Sequence, residues 1–289
     1  TLVITASMTL DGSGQSVTLD GGGHVGVLSV NSGVQFTLKA LTVANGSSSG
    51  NGGGIYNSGT MTISNSTIAN NTTAHNAGGI YNNGGTVNIS NSTIANNAAP
   101  SGIGGGIYNL NGGTVTISNS TIANNHAQAD GGGILNEGRT VTISNSTIAN
   151  NAADNGYGGG IYSSATLSIG ATILAGNGGS NCSVFGTISP DLGYNLESGT
   201  DCGLSGPTSQ QNTSPQFQGG LQNNGGPTQT IALQPSSPAV NHIPVNTGHG
   251  CITGGTDQRG QPRPDYFLLL LPESTCDIGA YEVQGELLR

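Results

Sequence analysis

The sequence predicts an all-β chain. The fold expected is a right-handed parallel β-helix, a solenoid with three short strands per coil of about 26 residues, closed by an irregular C-terminal cap that contains disulfides. Three observations lead there. The string ISNSTIANN occurs four times verbatim, beginning at Ile63, Ile89, Ile117 and Ile143. A glycine-rich GGI signature precedes each copy, and its isoleucines, Ile55, Ile80, Ile107, Ile134 and Ile161, lie 25, 27, 27 and 27 residues apart, a period suited to one full coil. No piece between the Gly, Asn and Ser turns is long enough for a helix.

Each coil divides into three strand-like pieces, for example GIYN (54–57), TMTIS (60–64) and STIAN (66–70). Alternation in TMTIS puts Met61 and Ile63 on one face and Thr60, Thr62 and Ser64 on the other, as in a half-buried strand. Stacking such coils at about 4.8 Å builds aliphatic columns inside and threonine columns outside. Weaker coils flank the clean ones. Residues 33–46 place Phe36, Leu38 and Val43 inside, and residues 165–177 place Leu167, Ile169 and Ile173 there. The solenoid is expected over residues 1–200, in roughly seven or eight coils spanning about 35 Å.

Nine of the eleven prolines follow residue 200, where the coil signature stops, so residues 201–289 are read as the cap. Solenoid ends expose strand edges and core side chains and are normally covered. Phe267–Leu271 offers apolar cover, over the last coil or along one side.

Only 33% of the 289 residues are hydrophobic and 51 are glycine, a composition that suggests disorder until the repeat is noticed. Repetition lets a few aliphatic positions fill a long, narrow core. Charged residues make up 7% of the chain and the net charge is −9, which leaves no basic surface for nucleic acid or anionic membranes. The longest apolar run, FLLLLP (267–272), is far too short to span a bilayer, so no membrane insertion is expected.

Cys182, Cys202, Cys251 and Cys276 all lie outside the regular coils. Four cysteines allow three pairings. The sequence-local one, Cys182 with Cys202 and Cys251 with Cys276, is preferred because each bond closes one irregular excursion. Metal binding is the rival, but no C-x-x-C or histidine cluster supports it, and no cofactor is expected. Disulfides imply an oxidising, extracellular location, either secreted or at the cell surface.

The cap carries SPQFQGGLQNNGGPTQTIALQPSSPAVN (214–241), TDQRGQPRP (256–264) and CDIGAYE (276–282). Together these resemble the choice-of-anchor Q domain of bacterial surface proteins, and the GGGIYN and ISNSTIANN coils resemble polymorphic outer-membrane-protein repeats. The resemblance implies a secreted or surface-displayed bacterial β-helix of undetermined activity, followed by an anchoring signal. Here only VQGELLR follows CDIGAYE, with no sorting motif, hydrophobic tail or basic stop, a departure from the family pattern that leaves two readings: the anchor has been removed, or this version is released or assembles by itself.

Candidate chemistry is sparse. Between residues 40 and 190 the charged residues considered are Asp130, Glu137, Arg139 and Asp154. Asp130 and Asp154 are the one pair that could serve a lyase or glycosidase, in a small cluster with His126 on neighbouring coils, and solvated linkers are the plainer expectation. Tyr56, Tyr81, Tyr108 and Tyr162, interrupted by Leu135, should form an outward ladder that either holds sugar rings or is covered by the C-terminal segment. Thr60, Thr86, Thr114, Thr140 and Thr166 form one outward threonine column, and Thr67, Thr93, Thr121, Thr147 and Thr172 a second; such arrays resemble ice-binding surfaces. Asn65, Asn91, Asn119 and Asn145, and Asn70, Asn96, Asn124 and Asn150, are read as stacked structural ladders.

The reading expected is a non-enzymatic structural rod for surface adhesion, coat or filament formation. Surface glycans and further copies, joined head to tail through the terminal coils, are the partners it suggests. Carbohydrate binding or cleavage and ice binding are the alternatives.

Overall fold

The computed structural model describes residues 1–185, 187–265 and 275–285. Its body is three parallel sheets of eight strands each. Sheet A runs from Leu2–Ile4 to Cys182–Val184, sheet B from Met8–Asp11 to Thr187–Gly193, and sheet C from Thr18–Asp20 to Leu196–Glu197. The chain visits A, B and C in turn, so neighbours within a sheet are one coil apart. Among the described residues there is no helix. Phe267–Leu271 lies outside the described residues.

The repeat fixes the register. Ile55, Ile80, Ile107, Ile134 and Ile161 pair in succession down sheet A. In sheet B, Met61, Val87, Val115, Val141 and Leu167 do the same beside Ile63, Ile89, Ile117, Ile143 and Ile169. Ile68, Ile94, Ile122 and Ile148 supply the column from sheet C. All of these are fully buried or nearly so, and each contributes about 1.5–3 kcal/mol of transfer free energy.

Two expectations about the coils are corrected. A fourth strand of two residues follows the third in five coils, from Ser47–Ser48 to Ala152–Ala153, so these coils have four strands. In the weaker coil, Leu174 rather than Ile173 continues the aliphatic column, because Ile173 pairs with Thr147 and Leu174 with Ile148. Ile173 therefore faces outward, and Thr172 takes the slot of Ser146 instead of the threonine column.

One expected asparagine ladder moves by one residue, and the other, Asn65, Asn91, Asn119 and Asn145, consists of turn residues at φ of 46–49°. Asn70, Asn96, Asn124 and Asn150 are exposed and adopt φ of 56–57°, so their role is to turn the chain. Asparagine tolerates this left-handed region better than most side chains. The buried ladder is the next column, in which Asn71 Nδ2 donates to Asn97 Oδ1, Asn97 to Asn125, Asn125 to Asn151 and Asn151 to Asn177, at 2.9–3.0 Å. A second ladder joins Asn57, Asn82, Asn109 and Asn136 at 2.8–2.9 Å.

Both disulfides form with the sequence-local pairing, Cys182–Cys202 and Cys251–Cys276. The first, with Leu204, belongs to the solenoid core and closes its far end. The second lies in a separate apolar cluster with Ile173, Leu196, Leu233, Ile243 and Ile278, where the cap meets the outer face of sheet C. At the other end, the first coil exposes Leu2, Val3, Met8, Val17 and Val25.

Candidate functional site

With a core of closely packed aliphatic columns, function must reside on the outer faces. The cap seals one of them. Each TIA strand of sheet C turns its isoleucine inward and its threonine and alanine outward, which makes a flat, close-approach surface. Ile231 packs on Ala123 and Ala149. Thr93 Oγ1 donates to the Gln229 carbonyl and Thr121 Oγ1 to Gln258 Oε1, both at 2.6 Å. Gln258 Nε2 reaches back to the Ser92 carbonyl at 3.2 Å and to Thr93 Oγ1 at 3.0 Å. Gly279 approaches so closely that a Cβ there would meet Ile173 Cδ1 at 2.8 Å, and its φ of 99° also requires glycine. The second threonine column is thus a docking surface, not an open array.

The cap motifs that carried the family resemblance meet in one buried polar network. Arg259 Nε donates to Asp257 Oδ2 at 2.8 Å, and its guanidinium lies 3.7 Å from the centre of the Tyr281 ring. Arg263 donates to the carbonyls of Gly279 and Asp277 and sits 3.5 Å from Glu282 Oε2. Glu282 Oε2 accepts from the Asp277 amide at 2.9 Å. Burial, reinforced by Asp277, pushes the Glu282 carboxyl up to about 8, and burial raises Asp277 to about 6. Sequence reading treated these motifs only as a resemblance, because long-range packing brings them together.

Among the described residues, no cap segment crosses the threonine rows on the outer face of sheet B, whose members are mostly half-buried. Thr60, Thr62 and Ser64 pair with Thr86, Asn88 and Ser90, these with Thr114, Thr116 and Ser118, and these with Thr140, Thr142 and Ser144, without a bulge. Thr166 and Ser168 extend the rows before a register shift against the last strand. Thr114 Oγ1 donates to Thr86 Oγ1 at 3.3 Å, and Thr60 and Thr116 are the most open members.

Sheet A carries the aromatic ladder. Tyr56 and Tyr81 stack with ring centres 5.3 Å apart, and Tyr81 meets Tyr108 edge-on at 5.5 Å. The tyrosines do pack on one another, and Tyr81 and Tyr108 are buried; among the described residues their cover comes from the coil residues Ile103 and Leu110, while the described part of the cap lies on sheet C. Tyr108 Oη donates to Glu137 Oε2 at 2.5 Å; burial and this carboxylate raise its hydroxyl far above the ordinary range. The open aromatics lie at the far end, where Tyr157 is 62% and Phe185 67% exposed. Sequence reading missed both because neither occupies a repeat column.

Asp130 and Asp154 serve different partners. Asp130 Oδ1 accepts from the Tyr157 amide at 2.7 Å, whereas Asp154 Oδ2 lies 2.9 Å from His126 Nε2. Among the described residues, no three His, Cys, Asp or Glu side chains gather as a metal site, and no helix is long and apolar enough to cross a membrane. Two grooves of about 380 and 330 Å³ flank the cap, one beside Val17, Leu41 and Pro227, the other beside Asn145, Leu192 and His249.

Residues 12–189, more than half of the chain, match the model of the right-handed β-helix region. Neither a curated protein nor a solved structure matches the chain.

Proposed function

We propose that this chain, which belongs to the right-handed β-helix family, is a non-enzymatic extracellular rod for adhesion, coat or filament formation on a bacterial surface. The observation that carries the reading is the division of labour among the repeated side chains. Inward columns build the core, the asparagine ladders hold the coils together, and the outward threonines of sheet C dock the cap. Among the described faces, sheet B offers a long, repeated hydroxyl surface, uncharged from Thr60 to Ser168 and bordered by the Lys39–Asp11 ion pair in the first coils, suited to lateral contact with like copies or another surface. Two disulfides support an oxidising compartment. The bacterial setting rests on the resemblance to choice-of-anchor Q proteins. End-to-end contact through the exposed apolar residues of the first coil is a second assembly route.

Electron microscopy and size-exclusion light scattering of one sample test this reading. Ordered filaments or sheets are the expected result. Monodisperse monomer at every concentration sinks the assembly role. A non-enzymatic rod also releases no reducing sugar from polysaccharides, which a parallel assay measures.

The unbroken register of sheet B favours one further reading, ice binding. Its hydroxyl rows repeat at about 4.8 Å across coils and roughly 6.7 Å along each strand. Thermal hysteresis that disappears in Thr116→Tyr supports it, and no hysteresis in the parent chain overturns it.

A further inference from the structure

The most exposed large aromatic side chains in the described chain, Tyr157 and Phe185, are neighbours in space. Their ring centres lie 6.1 Å apart with the planes at 80°, and Phe185 lies 5.6 Å from Tyr162, the last tyrosine of the ladder, at 45°, so the rings form an angled cluster. Three adjacent coils contribute. Tyr162 pairs with Leu135 on one side and with Ser183 on the other, and Phe185 follows the strand Cys182–Val184. The platform is held from below, since the Tyr157 amide donates to Asp130 Oδ1 at 2.7 Å and its carbonyl accepts from the Gly131 amide at 3.0 Å. The Phe185 amide donates to the Ser163 carbonyl at 2.8 Å.

Polar groups border the rings. Asp130 holds the Tyr157 amide, and Glu137 lies two residues beyond Leu135, the register partner of Tyr162; burial and then these two carboxylates raise the Tyr162 hydroxyl. Glu137 is exposed and already holds the Tyr108 hydroxyl. Open aromatic faces beside hydrogen-bond acceptors match a ligand with one apolar C–H face and a rim of hydroxyl donors. Two carboxylates in the border disfavour an anionic ligand. An apolar protein surface would desolvate two carboxylates whose bonds to the Tyr157 amide and the Tyr108 hydroxyl use only part of their acceptor capacity.

We propose that Tyr157, Tyr162 and Phe185, with Asp130 and Glu137, form a binding site for neutral glycans at the cap-proximal end of sheet A. The exposed faces of Tyr157 and Phe185, set at an angle to each other, take the apolar faces of sugar units, and the carboxylates accept hydrogen bonds from their hydroxyls. No bond is made or broken. The site is separate from the sheet B face and stands whether or not the rods assemble.

Native affinity electrophoresis tests it, with glucomannan or hydroxyethylcellulose as neutral probes, polygalacturonate as the anionic probe and a polymer-free gel as reference. Tyr157→Ala and Phe185→Ala should fold normally because both rings are exposed, and unchanged thermal midpoints check this. The parent chain should be retarded by at least one neutral polymer, and each variant should lose about tenfold in apparent affinity. No retardation by either neutral polymer overturns the site, as does equal retardation of the double variant or stronger retardation by polygalacturonate. Self-assembly slows migration in the polymer-free gel as well, so failure of the rod reading and failure of the glycan site remain distinguishable.

Discussion

Two adjacent asparagines in each coil do different work, and one dihedral angle separates them. Asn124, at φ 57°, turns the chain and leaves its side chain in solvent. Asn125 is buried: its Nδ2 donates to the Ile94 carbonyl and Asn151 Oδ1, and its Oδ1 accepts from the Asn97 amide and Nδ2. Asn125→Ala strands two donors on Asn97 and should cost about 3 kcal/mol. Asn124→Ala keeps every ladder bond and pays only left-handed strain, about 1 kcal/mol. Urea midpoints of the two variants measure the difference, and equal losses would refute the assignment. Both columns repeat with the same period, so periodicity located an asparagine ladder but could not choose the residue. Backbone geometry makes that choice.

The cap is an element whose attachment depends on buried acids. Arg263 and Arg259 face Glu282, Asp277 and Asp257 in the network, and burial raises the carboxyls of Glu282, to about 8, and Asp277, to about 6. In the unfolded chain the two ionise near 4.5 and 3.8. Below those values both are protonated in either state and docking is strongest. As the pH rises toward 8, the unfolded carboxylates ionise freely while the buried ones resist, so docking weakens. Hydrogen exchange at the amides of residues 275–285 should therefore accelerate, beyond the intrinsic pH effect, between pH 5 and about 8. Glu282→Gln should flatten that profile, and an unchanged profile would exclude Glu282 as its source. A steric test is independent of charge. Gly279→Val drives side-chain atoms into Ile173 and Thr147 and should expose the cap to limited proteolysis while the coils keep their β-sheet circular dichroism. The cap's existence was legible from proline density and the loss of repeat. Its seat along sheet C was not, since Thr93, Thr121 and Gln258 meet across more than 130 residues of chain.

At the scale of the whole molecule, verbatim repetition makes coils exchangeable. Ile89 and Ile117 occupy the same slot in successive coils, so deleting residues 90–117 joins two identical registers. The cap remains tethered at the far end, and the level it loses, Ser92 and Thr93, is replaced by Ser66 and Thr67 with the same side chains. Gln258 then finds the same acceptors. The deletion should shorten the rod by about 4.8 Å and leave the cap docked, with a stability loss close to one coil and its interface. Small-angle scattering reads the length, and proteolysis reads the cap. Removing the coil that carries Ile173 should instead loosen the cap, because Ile173 and Leu196, the next residue in its column, replace the threonine and together supply the apolar seat for Ile278 and the second disulfide, and the deletion takes one of the two away. If both deletions release the cap equally, docking depends on total length; if only the second does, the apolar break in the threonine column at Ile173 and Leu196 is what fixes the cap in place.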